Sequence, residues 1–170
     1  MRAPLRGALA PVLALLVALG ACGFQLRGTA ELPFETLYIP GATGGIGLDL
    51  KRNVQSGTRT RVVDDPKTTQ AVLQFTEDVR EKNILSLSGT GRVREFQLRY
   101  RVGFRVHDGK GGEYLPPSQI ILTRDFTFND TDVLSKEQEE AQIFREMQAD
   151  MVQQILRRIA AAVPPNPVVR

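Results

Sequence analysis

The sole cysteine is the residue of this sequence with the clearest chemical role. Cys22 follows Leu19, Gly20 and Ala21, and an aliphatic residue, two small residues and a cysteine in this order are typical of a bacterial lipobox. Small residues let a signal peptidase grip an extended backbone just outside the membrane, and the thiol is the nucleophile that takes up diacylglycerol. We therefore predict that Cys22 is the lipid-attachment site and the first residue of the mature chain.

The segment before this cysteine has the composition of an export signal. Arg2 and Arg6 give it a positive start, and residues 8–19 contain no charged side chain. This apolar run is shorter than the roughly 20 residues of a membrane-spanning helix, so it indicates a cleaved signal peptide over residues 1–21. An ordinary secretory signal is the alternative, but it would leave an unpaired thiol in an exported protein. Gly23 stands where an aspartate would retain a lipoprotein in the inner membrane, so we predict the outer membrane.

A second feature with possible binding chemistry is a cluster of arginines. Five of them lie within residues 92–105, a stretch whose only acidic residue is Glu95. They are Arg92, Arg94, Arg99, Arg101 and Arg105. They could form a solvated sheet face whose charges block edge aggregation, or they could bind phosphates or carboxylates through bidentate guanidinium contacts. Aromatic residues do not interleave with them on the polar face, so a nucleic-acid stacking platform is not indicated.

Composition excludes several classes of protein. Without Arg2 and Arg6 the 22 basic residues fall to 20, against 19 acidic residues. The net charge therefore does not favour a nucleic-acid binder, and any basic function must come from a local patch. One cysteine and one histidine cannot build a disulfide or a thiolate zinc site. We interpret His107, beside a glycine-rich turn, as a surface residue. No catalytic constellation is present, and we predict a protein that is not an enzyme and has no metal or cofactor.

The elements that carry these residues follow from hydrophobic periodicity. Between Arg94 and His107 every second residue is apolar, which predicts a strand with one buried face. Residues 71–79 alternate in the same way except at Glu77, and residues 119–128 form a return strand after a hairpin at residues 108–112. Two shorter strands are predicted at residues 37–39 and 58–63.

Two segments have helical spacing. Ile46, Leu50 and Val54 recur at every fourth residue and predict a short amphipathic helix. A longer helix is predicted to begin at Ser135, with Gln138 as its capping-box partner, and it carries an apolar stripe. The stripe consists of Phe144, Met147, Met151, Ile155 and Ile159.

The order β-α-β-β-β-β-α predicts an α+β two-layer sandwich, with two helices packed on a mostly antiparallel, mixed sheet of about four strands. A chain of 170 residues is long enough for one domain with a real core. We therefore predict a signal peptide at residues 1–21, a single domain at residues 22–163 and a disordered tail at residues 164–170.

Three stretches, taken in order, resemble the LPS-assembly lipoprotein LptE family. They are Cys22 to Arg27 after the lipobox, Glu95 to Leu98, and Arg124 to Asn129 leading into the long helix. The likeness spans nearly the whole mature chain. It implies an outer-membrane lipoprotein that plugs the LptD β-barrel from the periplasmic side, assists assembly of that barrel and binds lipopolysaccharide during its insertion into the outer leaflet.

The resemblance also implies binding residues. A basic residue at the start of the long helix contributes to lipopolysaccharide binding in the family, and Lys136 occupies that position here. A second basic site precedes the Glu-Phe-Gln-Leu strand, where this chain has Gly89, so Arg92 or Arg94 would substitute. An alternative function is a structural lipoprotein that braces another outer-membrane complex. A periplasmic lipid-processing enzyme would need a nucleophile and a base that the sequence does not provide.

Overall fold

A computed structural model describes residues 31–129 and 131–165 of the chain. Cys22 and the predicted signal peptide lie outside the described residues, as do residues 166–170 of the predicted tail. The described residues form five strands and two helices, joined in part by a short 3-10 turn. In chain order the elements are β1 (Thr36–Tyr38), α1 (Gly45–Gly57), β2 (Arg61–Val63), the 3-10 turn (Pro66–Thr68), β3 (Ala71–Leu87), β4 (Val93–His107), β5 (Glu113–Thr127) and α2 (Val133–Ala160).

The strands form one mixed sheet in the order β2-β1-β3-β4-β5. β1 pairs in parallel with β2 and β3, whereas β3, β4 and β5 pair antiparallel. Both helices pack on the sheet, and side-chain hydrogen bonds from Gln148 to Asp49 and from Gln153 to Asn53 join α2 to α1. The predicted α+β two-layer sandwich is confirmed; the sheet has five strands rather than about four.

The strand β4, which lies between β3 and β5, contributes much of the core. Its alternating apolar residues lie under the helices, and five of the six are completely buried. These five are Leu98, Tyr100, Val102, Phe104 and Val106. From α2, the stripe residues from Met147 to Ile159 complete the core, while Phe144 is only partly buried. The predicted strand with one buried face is confirmed, because a period of two places every apolar side chain of β4 on the same side.

A β-bulge in β3 changes which of its side chains face the helices. The register shifts between Phe75 and Glu77, opposite Gly103, where an added Cβ would lie 2.6 Å from the Thr76 hydroxyl. Beyond this bulge Arg80 and Lys82 pair with Tyr100 and Leu98 and therefore share their face. The prediction of one alternation over residues 71–79 is wrong beyond Phe75, since one extra residue reverses the two faces of a strand.

The long helix begins earlier than predicted. α2 starts at Val133, and its N-cap residue Asp132 makes no side-chain capping hydrogen bond. The backbone N–H of Lys136 donates to the Asp132 carbonyl oxygen at 3.1 Å, which places Ser135 inside the first turn. The predicted capping box at Ser135 is therefore wrong. Lys136 nevertheless lies in the first turn of the helix, as its predicted role requires.

Candidate functional site

The three predicted lipopolysaccharide-binding residues within the described chain lie at one end of the sheet. We call this end the tip and define it as residues 82–96, 126–129 and 131–140. The backbone N–H of Phe128 donates to the Arg94 carbonyl oxygen at 2.8 Å, which joins the start of β4 to the end of β5. The chain then enters α2 within a few residues. The topology therefore brings Arg92, Arg94 and Lys136 to the tip.

Arg92 and Arg94 emerge from the turn between β3 and β4. The Ser88 N–H donates to the Arg92 carbonyl oxygen at 2.7 Å, and the Arg92 N–H donates to the Ser88 hydroxyl at 3.1 Å, which closes the turn. Gly91 has a φ of 77°, a left-handed conformation that favours glycine. Both arginine side chains are exposed. The turn thus presents two guanidinium groups to a ligand at the tip.

Lys136 lies against an aromatic cluster. Its Nζ is 5.4 Å from the centroid of the Phe126 ring and 2.8 Å from a carboxylate oxygen of Glu139. Phe126 stacks on Phe96, which in turn meets Phe128 edge to face. We call Phe96, Phe126 and Phe128 the aromatic triad. The ring faces and the carboxylate hold the ammonium group in place by cation–π attraction and charge.

Sequence reasoning missed a second lysine at the same cluster. The Lys82 Nζ lies 4.3 Å from the Phe96 centroid and forms an ion pair with Glu140. Lys82 reaches this position because the bulge in β3 turns it toward the helix layer. The break in alternation at Glu77 was the available signal, because an insertion in a strand reverses every later side chain.

The tip also carries exposed apolar side chains. Leu134 in the first turn of α2 is 69% exposed, and Ile84 near the end of β3 is 59% exposed. Leu85, Leu87 and Val133 are also large, apolar and exposed. Basic groups beside exposed apolar groups match a ligand that carries both phosphates and hydrocarbon. The tip therefore has the chemistry of a site for an anionic amphiphile.

The other arginines of the sequence cluster lie farther along β4. The Arg101 guanidinium forms ion pairs with Glu77 at 2.9 Å and Glu81 at 3.1 Å on the sheet face opposite the core. Arg105 donates to the Gln74 side chain at 2.9 Å. The structure thus divides the cluster: Arg92 and Arg94 belong to the tip, whereas Arg99, Arg101 and Arg105 lie on the polar sheet face opposite the core.

A groove between β3 and α2 borders the tip. It has a volume of about 520 Å³ and is lined by charged and aromatic side chains. The lining includes Arg80, Lys82, Glu137, Glu140, Phe144 and Arg145. Beneath it, burial raises the pKa of Tyr100 to about 12, since the ionised phenol would lose its hydration.

The described residues contain neither a metal-binding cluster nor a membrane-spanning helix. Within residues 31–129 and 131–165, no group of three or more histidine, cysteine, aspartate or glutamate side chains could hold a metal ion. In the same part of the chain, no helix is both long enough and apolar enough to cross a membrane.

Comparisons with known proteins match this chain to one family over most of the described residues. The profile of the LptE family, described as lipopolysaccharide-assembly, matches residues 34–159. A curated LPS-assembly lipoprotein LptE from Photorhabdus laumondii is 28% identical over 150 residues, which cover 86% of this chain and 81% of that protein. The protein of the same name from Pectobacterium atrosepticum is 29% identical, over 86% of this chain and 80% of its own length.

Solved structures agree with the fold. The chain is similar to an uncharacterized lipoprotein B from Nitrosomonas europaea, with a TM-score of 0.71 and 45% identity over 82% of this chain and 91% of that one. It is also similar to the rare lipoprotein B from Shewanella oneidensis, with a TM-score of 0.64 and 26% identity over 77% of this chain and 94% of that one.

Proposed function

The chain belongs to the LptE family of lipopolysaccharide-assembly lipoproteins, and from this membership we propose that it acts in the outer membrane as a plug of the LptD β-barrel that binds lipopolysaccharide at its tip. In this proposal Cys22 carries the lipid anchor, and the domain lies on the periplasmic side within the barrel. The role described for the family, lipopolysaccharide assembly, is not enzymatic.

One observation carries the binding part of the proposal: cations and exposed apolar side chains occupy the same end of the domain. Lys136 stands against the aromatic triad, and Arg92 and Arg94 extend from the neighbouring turn. Lipopolysaccharide offers phosphates to such cations and acyl chains to side chains such as Leu134 and Ile84. Ammonium and guanidinium groups both bind phosphate, the latter through two parallel hydrogen bonds.

The polar sheet face supports the barrel part of the proposal. It opposes the helix layer and carries ion pairs and hydrogen bonds that cross three strands, such as Arg101 to Glu77 and Gln119 to Glu77 at 2.7 Å. The lumen wall of a large outer-membrane barrel is polar. A polar face of half-buried charges is suited to such a wall, with hydrogen bonds and water between the two surfaces.

The proposal is tested by extracting the tagged protein from membranes in mild detergent. The intact mass should begin at Cys22 with added acyl groups, and LptD and lipopolysaccharide should copurify. In the double variant Lys136→Asp with Arg92→Asp, lipopolysaccharide should fall strongly while LptD recovery and the melting temperature stay near wild type. The matched control reverses two exposed lysines away from the tip, Lys67 and Lys110, with the same change in net charge, and should retain lipopolysaccharide.

Each result has a separate meaning. Copurification of a different outer-membrane complex in place of LptD would favour a structural lipoprotein that braces that complex. Equal loss of lipopolysaccharide in the tip variant and in the control would show that net charge, not the tip, governs binding. An unmodified thiol at Cys22 would refute the lipid anchor.

A further inference from the structure

Two ammonium groups of the tip share one aromatic surface. The Lys136 Nζ is 5.4 Å from the Phe126 centroid, and the Lys82 Nζ is 5.9 Å from the same centroid. The two nitrogens are therefore less than 11.3 Å apart, the sum of these distances. The Lys82 side chain is 33% exposed and that of Lys136 is 21% exposed. Each side chain is therefore held by its neighbours but remains partly accessible to a ligand. Two positioned cations at this spacing can engage one ligand.

Each of these cations already has a carboxylate partner from α2. Lys82 pairs with Glu140, and Lys136 pairs with Glu139 at 2.8 Å. The two glutamates are adjacent in sequence in α2. A phosphate oxygen offers an ammonium group the same kind of charge-assisted hydrogen bond as a carboxylate oxygen. A phosphate can therefore replace either glutamate at its lysine.

We infer that Lys82 and Lys136 form a two-cation site for the phosphates of an anionic glycolipid, and that Glu139 and Glu140 are its internal counter-ions, which the phosphates displace. This inference rests on the proposed function and extends the binding site to Lys82, Glu139 and Glu140. Ile84 shares the sheet face of Lys82 and is 59% exposed, so hydrocarbon attached to the phosphorylated group has an apolar contact beside the lysine.

If Glu139 and Glu140 are counter-ions, substitutions of the lysines and of the glutamates should change ligand binding in opposite directions. Removing the charge of a binding residue weakens ligand binding, whereas removing the charge of a competing carboxylate strengthens it. Ion pairs of this exposure contribute about 1 kcal/mol or less, so each change should be about three- to fivefold. A purely structural lysine–glutamate pair would show neither response, because both substitutions would act on folding alone.

The test measures lipopolysaccharide binding to the full-length, detergent-extracted protein. Lys82→Gln should weaken binding about three- to fivefold, Lys82→Arg should retain it, and Glu140→Gln should strengthen it about threefold. The matched control is the lysine–carboxylate pair of Lys51 and Asp64, whose atoms are 2.9 Å apart. Lys51→Gln and Asp64→Asn should leave binding unchanged. Melting temperatures of all variants identify any that unfold.

Binding of dephosphorylated lipopolysaccharide and competition by inorganic phosphate test whether the two lysines bind a lipid-borne phosphate. Dephosphorylated lipopolysaccharide should bind wild type and Lys82→Gln equally weakly, because the partner of the lysine has been removed. Millimolar inorganic phosphate should not displace lipopolysaccharide, and displacement would overturn the assignment to a lipid-borne phosphate. Wild-type binding by Lys82→Gln, with loss in the Lys136 and Arg92 double variant, would overturn this inference and leave the proposed function intact. Absence of lipopolysaccharide binding in the wild type would refute the proposed function itself.

Discussion

The two ends of the sheet share long strands but differ in how deeply their apolar side chains are buried. We call the end opposite the tip, residues 34–75, 100–120 and 144–165, the base. At the base Phe104 and Val106 of β4 are completely buried beneath the helix layer. At the tip the same alternation continues to Phe96, which is only partly buried, and the helix layer begins with exposed Leu134.

This difference shows how one alternating pattern can supply both a core and a binding surface. At the base, burial of an aromatic ring stabilises the fold, because each Å² of apolar surface removed from water contributes about 25 cal/mol to the free energy of unfolding. At the tip the rings of the triad also make cation–π contacts with the ammonium groups of Lys82 and Lys136. Substitutions at the base should therefore reduce stability, whereas substitutions at the tip should reduce binding with little loss of stability.

The largest effect is expected from Phe104→Ala at the base. Removing a completely buried ring should lower the free energy of unfolding by about 3–5 kcal/mol, because it leaves a cavity that the helices cannot fully close. Urea unfolding measures this loss. Phe128→Ala, at a partly buried ring of the triad, is the matched control and should cost clearly less. Equal losses would show that the tip is packed as a core and would remove the distinction between the two ends.

An intermediate effect is expected from Tyr100→Phe, in the middle of β4. The Tyr100 hydroxyl is buried and makes no hydrogen bond of good geometry among the described residues, although Arg80 and Asp78 lie near it. Its removal at neutral pH should therefore change stability little. In the wild type the pKa of Tyr100 is raised from 10.0 to about 12. Between these values the unfolded state ionises first, so the contribution to stability is complete below pH 10 and is lost as the pH rises to 12.

The measurement is urea unfolding at several pH values. Wild type should lose up to about 1.4 kcal/mol per pH unit more than Tyr100→Phe between pH 10 and pH 12. Lipopolysaccharide binding at pH 8 should be the same in both proteins, since the hydroxyl lies below the groove rather than at the tip. Parallel unfolding curves over the alkaline range would show that this phenol is solvated.

The sequence predicted the base more completely than the tip, for a physical reason. The period-two pattern of β4 and the apolar stripe of α2 both predict buried faces, because apolar periodicity indicates which side chains leave solvent. The bulge at Thr76 lies against Gly103 of β4, which pairs with Glu77 and has no Cβ to clash with the Thr76 hydroxyl. This long-range contact leaves only the irregularity at Glu77 in the sequence. Lys82 was missed as a consequence.

The start of α2 illustrates the same limit. Ser135 and Gln138 satisfy a local capping rule, yet the helix begins at Val133 because the preceding residues already curl, as the hydrogen bond from Asp132 N–H to the Asn129 carbonyl shows. The selection of Lys136 came from the family resemblance, since nothing in its own spacing marks it as a ligand. Its contact with Phe126 depends on the route of the chain between β5 and α2.

The smallest effect on stability is expected from Leu134→Ser at the tip. Leu134 is 69% exposed, so its polar replacement should change the free energy of unfolding by no more than about 0.5 kcal/mol. It lies in the same first turn of α2 as Lys136, however, and we expect an acyl chain of bound lipopolysaccharide to contact this exposed end of the tip. Lipopolysaccharide binding should therefore weaken severalfold, as measured by copurification from detergent. Val163→Ser is the matched control, because Val163 is 72% exposed beyond the other end of α2 and should leave both stability and binding unchanged. If the two serine variants bind lipopolysaccharide equally well, the exposed apolar side chain of the tip has no part in binding, and the tip acts through its charges alone.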